Sequence, residues 1–251
     1  MDPPKVRVQV CGRLAVEVDG QRCDGRLPGR QGRLLLTYLV LRRHDSVTRP
    51  QLVDALWPVD PPGAADAAIY ALLSRLRTAL GADLLGSHGS VRLTLPGDAW
   101  VDIEAARDAI HRAESALALG ELERAWGAAQ VTLFVARRGF LPEEDLDWVV
   151  AVRHELGELY VRALETYTGA ALGLGGTELA TAERAGRELV AAAPFRESGH
   201  RLLMRALASR GNTAEALLAY DRLCRLLRDE LGVPPSAATR DLHGQLLRGE
   251  A

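Results

Sequence analysis

The stretch AIYALLSRLRTALG, residues 68–81, sets two cations, Arg75 and Arg77, in a run that otherwise carries no charge. Affinity for nucleic acid comes from the few cations that reach phosphates, so the placing of these two on a helix matters more than the total charge. With Ile69 as the centre of an apolar face and about 100° per residue, Ala65, Leu72, Leu73, Leu76 and Leu80 all fall within about 60° of it. The opposite side carries Ala67, Tyr70, Ala71, Ser74, Arg75 and Thr78. A face of such small side chains can enter a major groove. Arg75 lies about 120° from the apolar centre and Arg77 about 80°, which puts the stem of Arg77 at the core edge. In isolation such a face reads as solvated surface; a short capped helix before it and a hairpin with Arg92 after it favour a DNA surface.

Other chemistries are poorly represented. Six histidines, at 44, 88, 111, 154, 200 and 243, show no HExxH spacing, and no serine or cysteine sits in a nucleophile elbow. Cys11, Cys23 and Cys224 form no CxxC pair and are odd in number, so reduced thiols are expected and neither a zinc site nor a disulfide framework. The acidic run FLPEEDLDWVV could hold a metal or a basic partner, but acids after a proline are the usual start of a helix. The glycines of LGLGG follow a helical pattern instead of a strand and complete no phosphate-loop motif, which makes them a helix–helix turn. Trp126, Tyr160, Tyr167 and Tyr220 could line a ligand pocket, although aromatics at helical spacing are more often core. No catalytic residue, cofactor or metal is expected, and the chain is not read as an enzyme.

The elements that would position the cations follow from the pattern. KVRVQV alternates with period two, LAVEV resumes after Gly12, and Asp19-Gly20 signals a type I′ turn, giving a small antiparallel meander. From Gln31, apolar residues recur at helical spacing up to the basic Arg42-Arg43-His44. Thr48 and Gln51 form a capping box for a second helix, with Pro50 in its first turn, ending at Trp57-Pro58. A third helix spans 64–80 and stops at Gly81, and LLGSHGSVRLTLP makes a hairpin around His88-Gly89, where His88 could itself contact a ligand. From Val101 onward Ala, Leu, Arg and Glu dominate at helical spacing. Glycines 120, 175 and 211 are each followed five residues later by an alanine, 125, 180 and 216, a weak repeat near the tetratricopeptide period. The expected fold is mainly α: a winged helix-turn-helix over residues 1–97, followed by an all-α tetratricopeptide-like domain over 98–251. Residues 1–100 hold 13 Lys and Arg against 10 Asp and Glu, the rest 18 against 23, so only the amino-terminal half is basic. No signal peptide or membrane span is apparent, which predicts a cytoplasmic location.

RVQVCGRLAVEVDG, GRQGRLLLTYLVLRRHDSVTRPQLVDALWP, SRLRTALG, VDIEAARDAI, FLPEEDLDW and RGNTAEALLAYDRLCRLLRDELGVPPS, in that order, resemble the Streptomyces antibiotic regulatory protein family of actinobacterial transcriptional activators. The resemblance implies an OmpR-type winged helix joined to a bacterial transcriptional activator domain. It further implies binding to direct repeats in double-stranded DNA at promoters, contact with RNA polymerase, pairing of two copies as a homodimer, and a place on the nucleoid. By the same resemblance the DNA-contacting positions are Arg49 on the second helix, Ser74, Arg75 and Arg77 on the third with Tyr70 beside them, and Ser87, His88 and Arg92 in the wing.

The chain departs from the family where members carry Asn, Arg, Thr or Gln on the first turns of the recognition helix; here stand Asp66, Ala67, Ala68 and Ala71. A carboxylate repels phosphates and alanine can touch only a thymine methyl, which predicts weak base discrimination. The wing has Gly89-Ser90 where glycine-tyrosine is common, and the ATPase and sensor modules of larger relatives are not expected. The competing class is a helical-repeat interaction or ligand-sensing regulator with a degenerate winged helix of weak DNA affinity.

Overall fold

The computed structural model describes residues 5–81, 84–88 and 90–250, with the side chains of Ser87 and His88 outside that description. The chain divides into two compact units. One takes in the residues up to Ala105 together with Arg138–Glu155, and the other Ala106–Arg137 with Leu156–Ala251. Residues 98–105 and 138–155 thus pack with the amino-terminal elements, beyond the boundary at 97 that composition suggests.

In the first unit, β1 (Val6–Gln9) buries Val6 and Val8 and leaves Lys5 and Arg7 outside, as period-two alternation requires. It pairs antiparallel with β2 (Ala15–Val18), which turns through Asp19 and Gly20 at φ 49° and 78° into β3 (Gln21–Arg22). Two successive positive φ values are the mark of the type I′ turn expected there. The sheet order is β3-β2-β1-β6, where β6 (Trp100–Val101) runs parallel to β1. Helices α1 (Gly29–Leu41), α2 (Arg49–Leu56) and α3 (Ala65–Leu80) pack on one another through Leu35, Leu39, Leu52, Ile69, Leu73 and Leu76, all essentially buried. Gln51 Oε1 accepts the Thr48 backbone N–H at 2.8 Å, closing the expected capping box. Strands β4 (Leu85–His88) and β5 (Ser90–Leu93) form the hairpin, and Val47 and Val91 exchange two backbone hydrogen bonds of 2.9 and 2.7 Å that tie it to the residue before Thr48.

Asp102, the first residue of α4 (Asp102–Ala118), is fully buried and completes this unit. Its Oδ1 accepts the N–H groups of Val10 and Ile103, both at 2.9 Å, and its Oδ2 that of Cys11 at 3.0 Å, with Arg138 Nη1 3.7 Å away. Burial pushes its carboxyl above the usual aspartate value against the pull of those donors.

The acidic run differs from expectation. Helix α6 (Asp147–Leu174) begins at Asp147, so Glu143, Glu144 and Asp145 precede it instead of opening it. The reason lies in what these residues bind: Glu144 is 8% exposed and forms a two-pronged ion pair with Arg30, one arm at 2.7 Å, while Arg153 donates to the carbonyls of Phe140, Leu141 and Glu144. These bonds hold the segment in an irregular course before the helix, with only a single turn in which the Glu144 N–H donates to Leu141 O at 3.1 Å. One residue into α6, Trp148 donates its indole N–H to Ala55 O at 2.9 Å and meets the rings of Tyr38 and Phe140 edge-on.

The second unit holds the rest of α4 and α6 with α5 (Leu122–Ala136), α7 (Glu178–Ala192), α8 (Glu197–Ser209), α9 (Thr213–Leu231) and α10 (Ala237–Arg248). Gly120, Gly175 and Gly211 all lie at positive φ just beyond helix ends, the conformation a glycine terminator supplies at least cost. Ala125 and Ala216 are fully buried as the repeat predicts, but Ala180 is exposed and Ala182 takes the buried place. Gly176, also at positive φ, lengthens that turn and shifts the phase. Helices α7 and α8 approach closely at Gly186, where an added Cβ would meet the Leu203 backbone at 3.2 Å.

His200 of α8 is buried, its Nε2 2.8 Å from Pro194 O, and burial holds its pKa below the ordinary histidine value. The neutral ring donates there, so this stabilisation is present above about pH 6.5 and is lost as the pH falls through the lowered value. Denaturant unfolding should show stability declining below that pH, with a shallower decline in His200→Gln; an unaltered slope would show that His200 titrates as it does in the unfolded chain. No helix among the described residues is long and apolar enough to cross a membrane.

Candidate nucleic-acid interface

Helix α3 presents the face its spacing predicts. Asp66, Ala67, Tyr70, Ala71, Ser74, Arg75 and Thr78 are exposed, while Ile69, Leu73, Leu76, Ala79 and Leu80 are buried. Helix propensity is high across ADAAIYALLSRLRTAL, and Gly81 at φ 105° ends it. Asp66 sits in the first turn, where a carboxylate suits the helix dipole but would repel a phosphate.

The cations assigned by sequence divide by what they already hold. Arg75 is exposed and makes no hydrogen bond or ion pair among the described residues. Arg77 is half-buried and its Nε donates to Leu85 O at 3.2 Å, fastening the end of α3 to the hairpin. Arg92 is exposed, with Nη2 3.0 Å from His44 O. Arg49, the first residue of α2, lies with its guanidinium carbon 4.4 Å from the centroid of the Tyr70 ring. Ser74 is exposed, and its carbonyl accepts the Thr78 hydroxyl at 3.1 Å. The side chains of Ser87 and His88, and the whole of Gly89, lie outside the described residues, although the backbone of the first two belongs to β4.

Arg43, from the basic cluster that ends the first helix pattern, is used internally: its Nε and Nη2 each meet Glu104 at 2.7 Å. Sequence reasoning missed this pair and that of Arg49 with Tyr70, because each joins residues far apart in the chain and no local period marks them. Among the described residues no cluster of His, Cys, Asp and Glu could hold a metal.

The aromatics of the helical unit do not converge on one cavity. Trp126 stacks on Tyr167 at 5.7 Å, Tyr160 donates to Glu188, and Tyr220 stacks on His243 at 3.8 Å. Trp126 borders an open groove of about 680 Å³ with Glu123, Gly127 and the Gly175–Gly176 turn.

The described residues thus form a three-helix winged unit, whose third helix carries Arg75 without a hydrogen bond or ion pair among them, and a second unit built of helices. Residues 101–247 match the family described as Bacterial transcriptional activator domain, and the chain belongs to that family. Its relatives are of the kind the motif order resembles. The regulatory protein AfsR of Streptomyces coelicolor is 33% identical over 246 residues, covering 98% of this chain and 24% of that protein. The regulatory protein DnrI of Streptomyces peucetius is 29% identical, covering 88% of this chain and 85% of that one. The solved structure of Mycobacterium tuberculosis EmbR in complex with a low affinity phosphopeptide superposes with a TM-score of 0.83 at 25% identity, over 99% of this chain and 66% of that chain. The chain spans about a quarter of the length of the AfsR proteins it matches.

Proposed function

We propose that the chain is a DNA-binding transcriptional regulator of the activator type. In this reading residues 1–97 engage direct repeats in promoter DNA and residues 98–251 contact RNA polymerase. The carrying observation is the exposed face of α3, small in its first turns, with Arg75 free of any intramolecular acceptor among the described residues. Kinship with proteins named as regulators supports the same direction. Tandem sites would raise the effective concentration of two copies, so a homodimer weak in solution could form on DNA. The chain would act by binding and not by catalysis, at the nucleoid in the cytoplasm. A second reading, a helical-repeat interaction or ligand-sensing regulator with little DNA affinity, is favoured by Asp66, Ala67 and Ala71 on the outward face of α3.

Titrating the full chain onto duplex DNA between 50 and 200 mM salt separates the two. The first reading expects affinity to fall steeply with salt, because bound cations release the counterions of the phosphates they neutralise. Arg75→Ala is expected to weaken binding by about tenfold. Its thermal midpoint should stay near the parent's, since an exposed residue without partners contributes little, within about 0.5 kcal/mol, to folding. Absent or salt-insensitive binding would leave the second reading standing, and a large stability loss in Arg75→Ala would mark a structural arginine.

A further inference from the structure

The pairing of Arg49 with Tyr70 gives these two residues unequal tasks. Arg49 is half-buried at the start of α2, and Tyr70, on the second turn of α3, is 50% exposed. The Arg49 Nε is buried and meets no acceptor, and among the described residues the guanidinium makes no hydrogen bond or ion pair. A buried N–H without an acceptor is unfavourable, and an arginine on a flexible stem can normally turn its whole head to water. Contact with the face of the Tyr70 ring offsets that loss. With Nε out of water, donation to a ligand falls to the two terminal amino groups.

We propose that Tyr70 is a positioning residue that holds the Arg49 guanidinium so that its terminal amino groups meet one phosphodiester of a bound duplex. Tyr70 itself reads no base. The inference rests on the duplex-binding reading above and assigns one of its contacts. An arginine that engages a phosphate loses rotamer freedom, and one already seated on a ring has lost part of it beforehand, so the contact forms at smaller cost. Arg77 and Arg92 do not share this arrangement, since each donates to a backbone carbonyl. The stacked pair spans two helices, so it also requires α2 and α3 to keep their packing.

The test is a double-substitution cycle in the full chain, read by equilibrium binding to a mixed-sequence duplex of 40 base pairs over a range of salt. A phosphate contact is independent of sequence, so the natural operator is not needed. Arg49→Ala and Tyr70→Ala should each weaken binding by about fivefold, and the doubly substituted chain should bind no more weakly than the weaker single one. Both should lower the slope of log affinity against log salt by about one, the share of a single phosphate. Tyr70→Phe, which keeps the ring, should match the parent. The proposal fails if the two losses multiply, if Tyr70→Ala leaves the salt slope at the parent value, or if Tyr70→Phe behaves like Tyr70→Ala, which would make the hydroxyl the contact. A parent chain that does not bind the duplex at all removes the DNA reading itself, a result distinct from any of these.

Discussion

A chain ending at residue 97 is expected to lose cooperative folding, although it would contain every element of the winged helix-turn-helix motif. Such a fragment lacks β6, which pairs Trp100 and Val101 with Arg7 and Val8, and leaves one side of β1 open. It also lacks Asp102, so the N–H groups of Val10 and Cys11 lose their acceptor. The ring of Trp148 against Tyr38, its bond to Ala55 O, and the carboxylates facing Arg30 and Arg43 go as well. Removing one large aromatic from a packed site costs about 3–5 kcal/mol, and the whole stability of a domain this size is about 5–15 kcal/mol. The losses together should therefore remove most of the margin. Circular dichroism melting should show a broad, low-amplitude transition, and the fragment should be cut by protease far faster than the full chain. A fragment that melts as sharply and as high as the full chain would show that residues 98–105 and 138–155 add nothing to the fold.

Asp102→Asn is expected to be the most damaging single substitution of a polar residue. The carboxylate accepts three backbone N–H groups with two oxygens, whereas the amide keeps one oxygen and turns an NH₂ toward either Cys11 N–H or the pair from Val10 and Ile103. A donor then faces a donor in a site without solvent access. One buried N–H left without an acceptor costs about 1–3 kcal/mol, and the attraction between the carboxylate and the Arg138 guanidinium 3.7 Å away is lost as well, so a total of about 3 kcal/mol is expected. Chemical denaturation at pH 7 would measure it directly. A loss below about 0.5 kcal/mol, the scale of an ordinary surface change, would mean that water or backbone movement satisfies these groups.

These two expectations mark where the sequence is silent. The outward face of α3 was legible because a sixteen-residue helix repeats its period more than four times, and the residues placed on that face are exposed; on the inward side Ala65 and Leu72 are only half-buried and Ala79 is buried as well. The Thr48–Gln51 cap and the Asp19-Gly20 turn were legible because each is a local exchange within four residues. Strand β6 was not, since two residues show no alternation. Asp102 reads as an ordinary acid in the first turn of a helix, and only the fold brings Val10 and Cys11 to it from more than 90 positions away. Glu144 belongs to a run that looks like a helix start, and what fixes it is Arg30, 114 residues earlier. At the candidate site, residue types were readable one by one, but which arginines were already engaged was not. That distinction, Arg75 without an acceptor among the described residues and Arg77 and Arg92 with one, depends on carbonyls that no pattern of side chains reports.

The interrupted course of the first unit also governs when it can form. During synthesis at about 5–20 residues per second, some 50 residues separate the emergence of Ala105 from that of Glu155, a delay of roughly 3–10 s. For most of that interval Tyr38 lacks its tryptophan and Arg30 its carboxylate, while the helical residues 106–137 emerge from the ribosome ahead of them. The amino-terminal unit, first in the chain, is thus held open until part of the later sequence has been translated, and a nascent chain stalled before residue 138 would present an unfinished winged helix to chaperones and proteases.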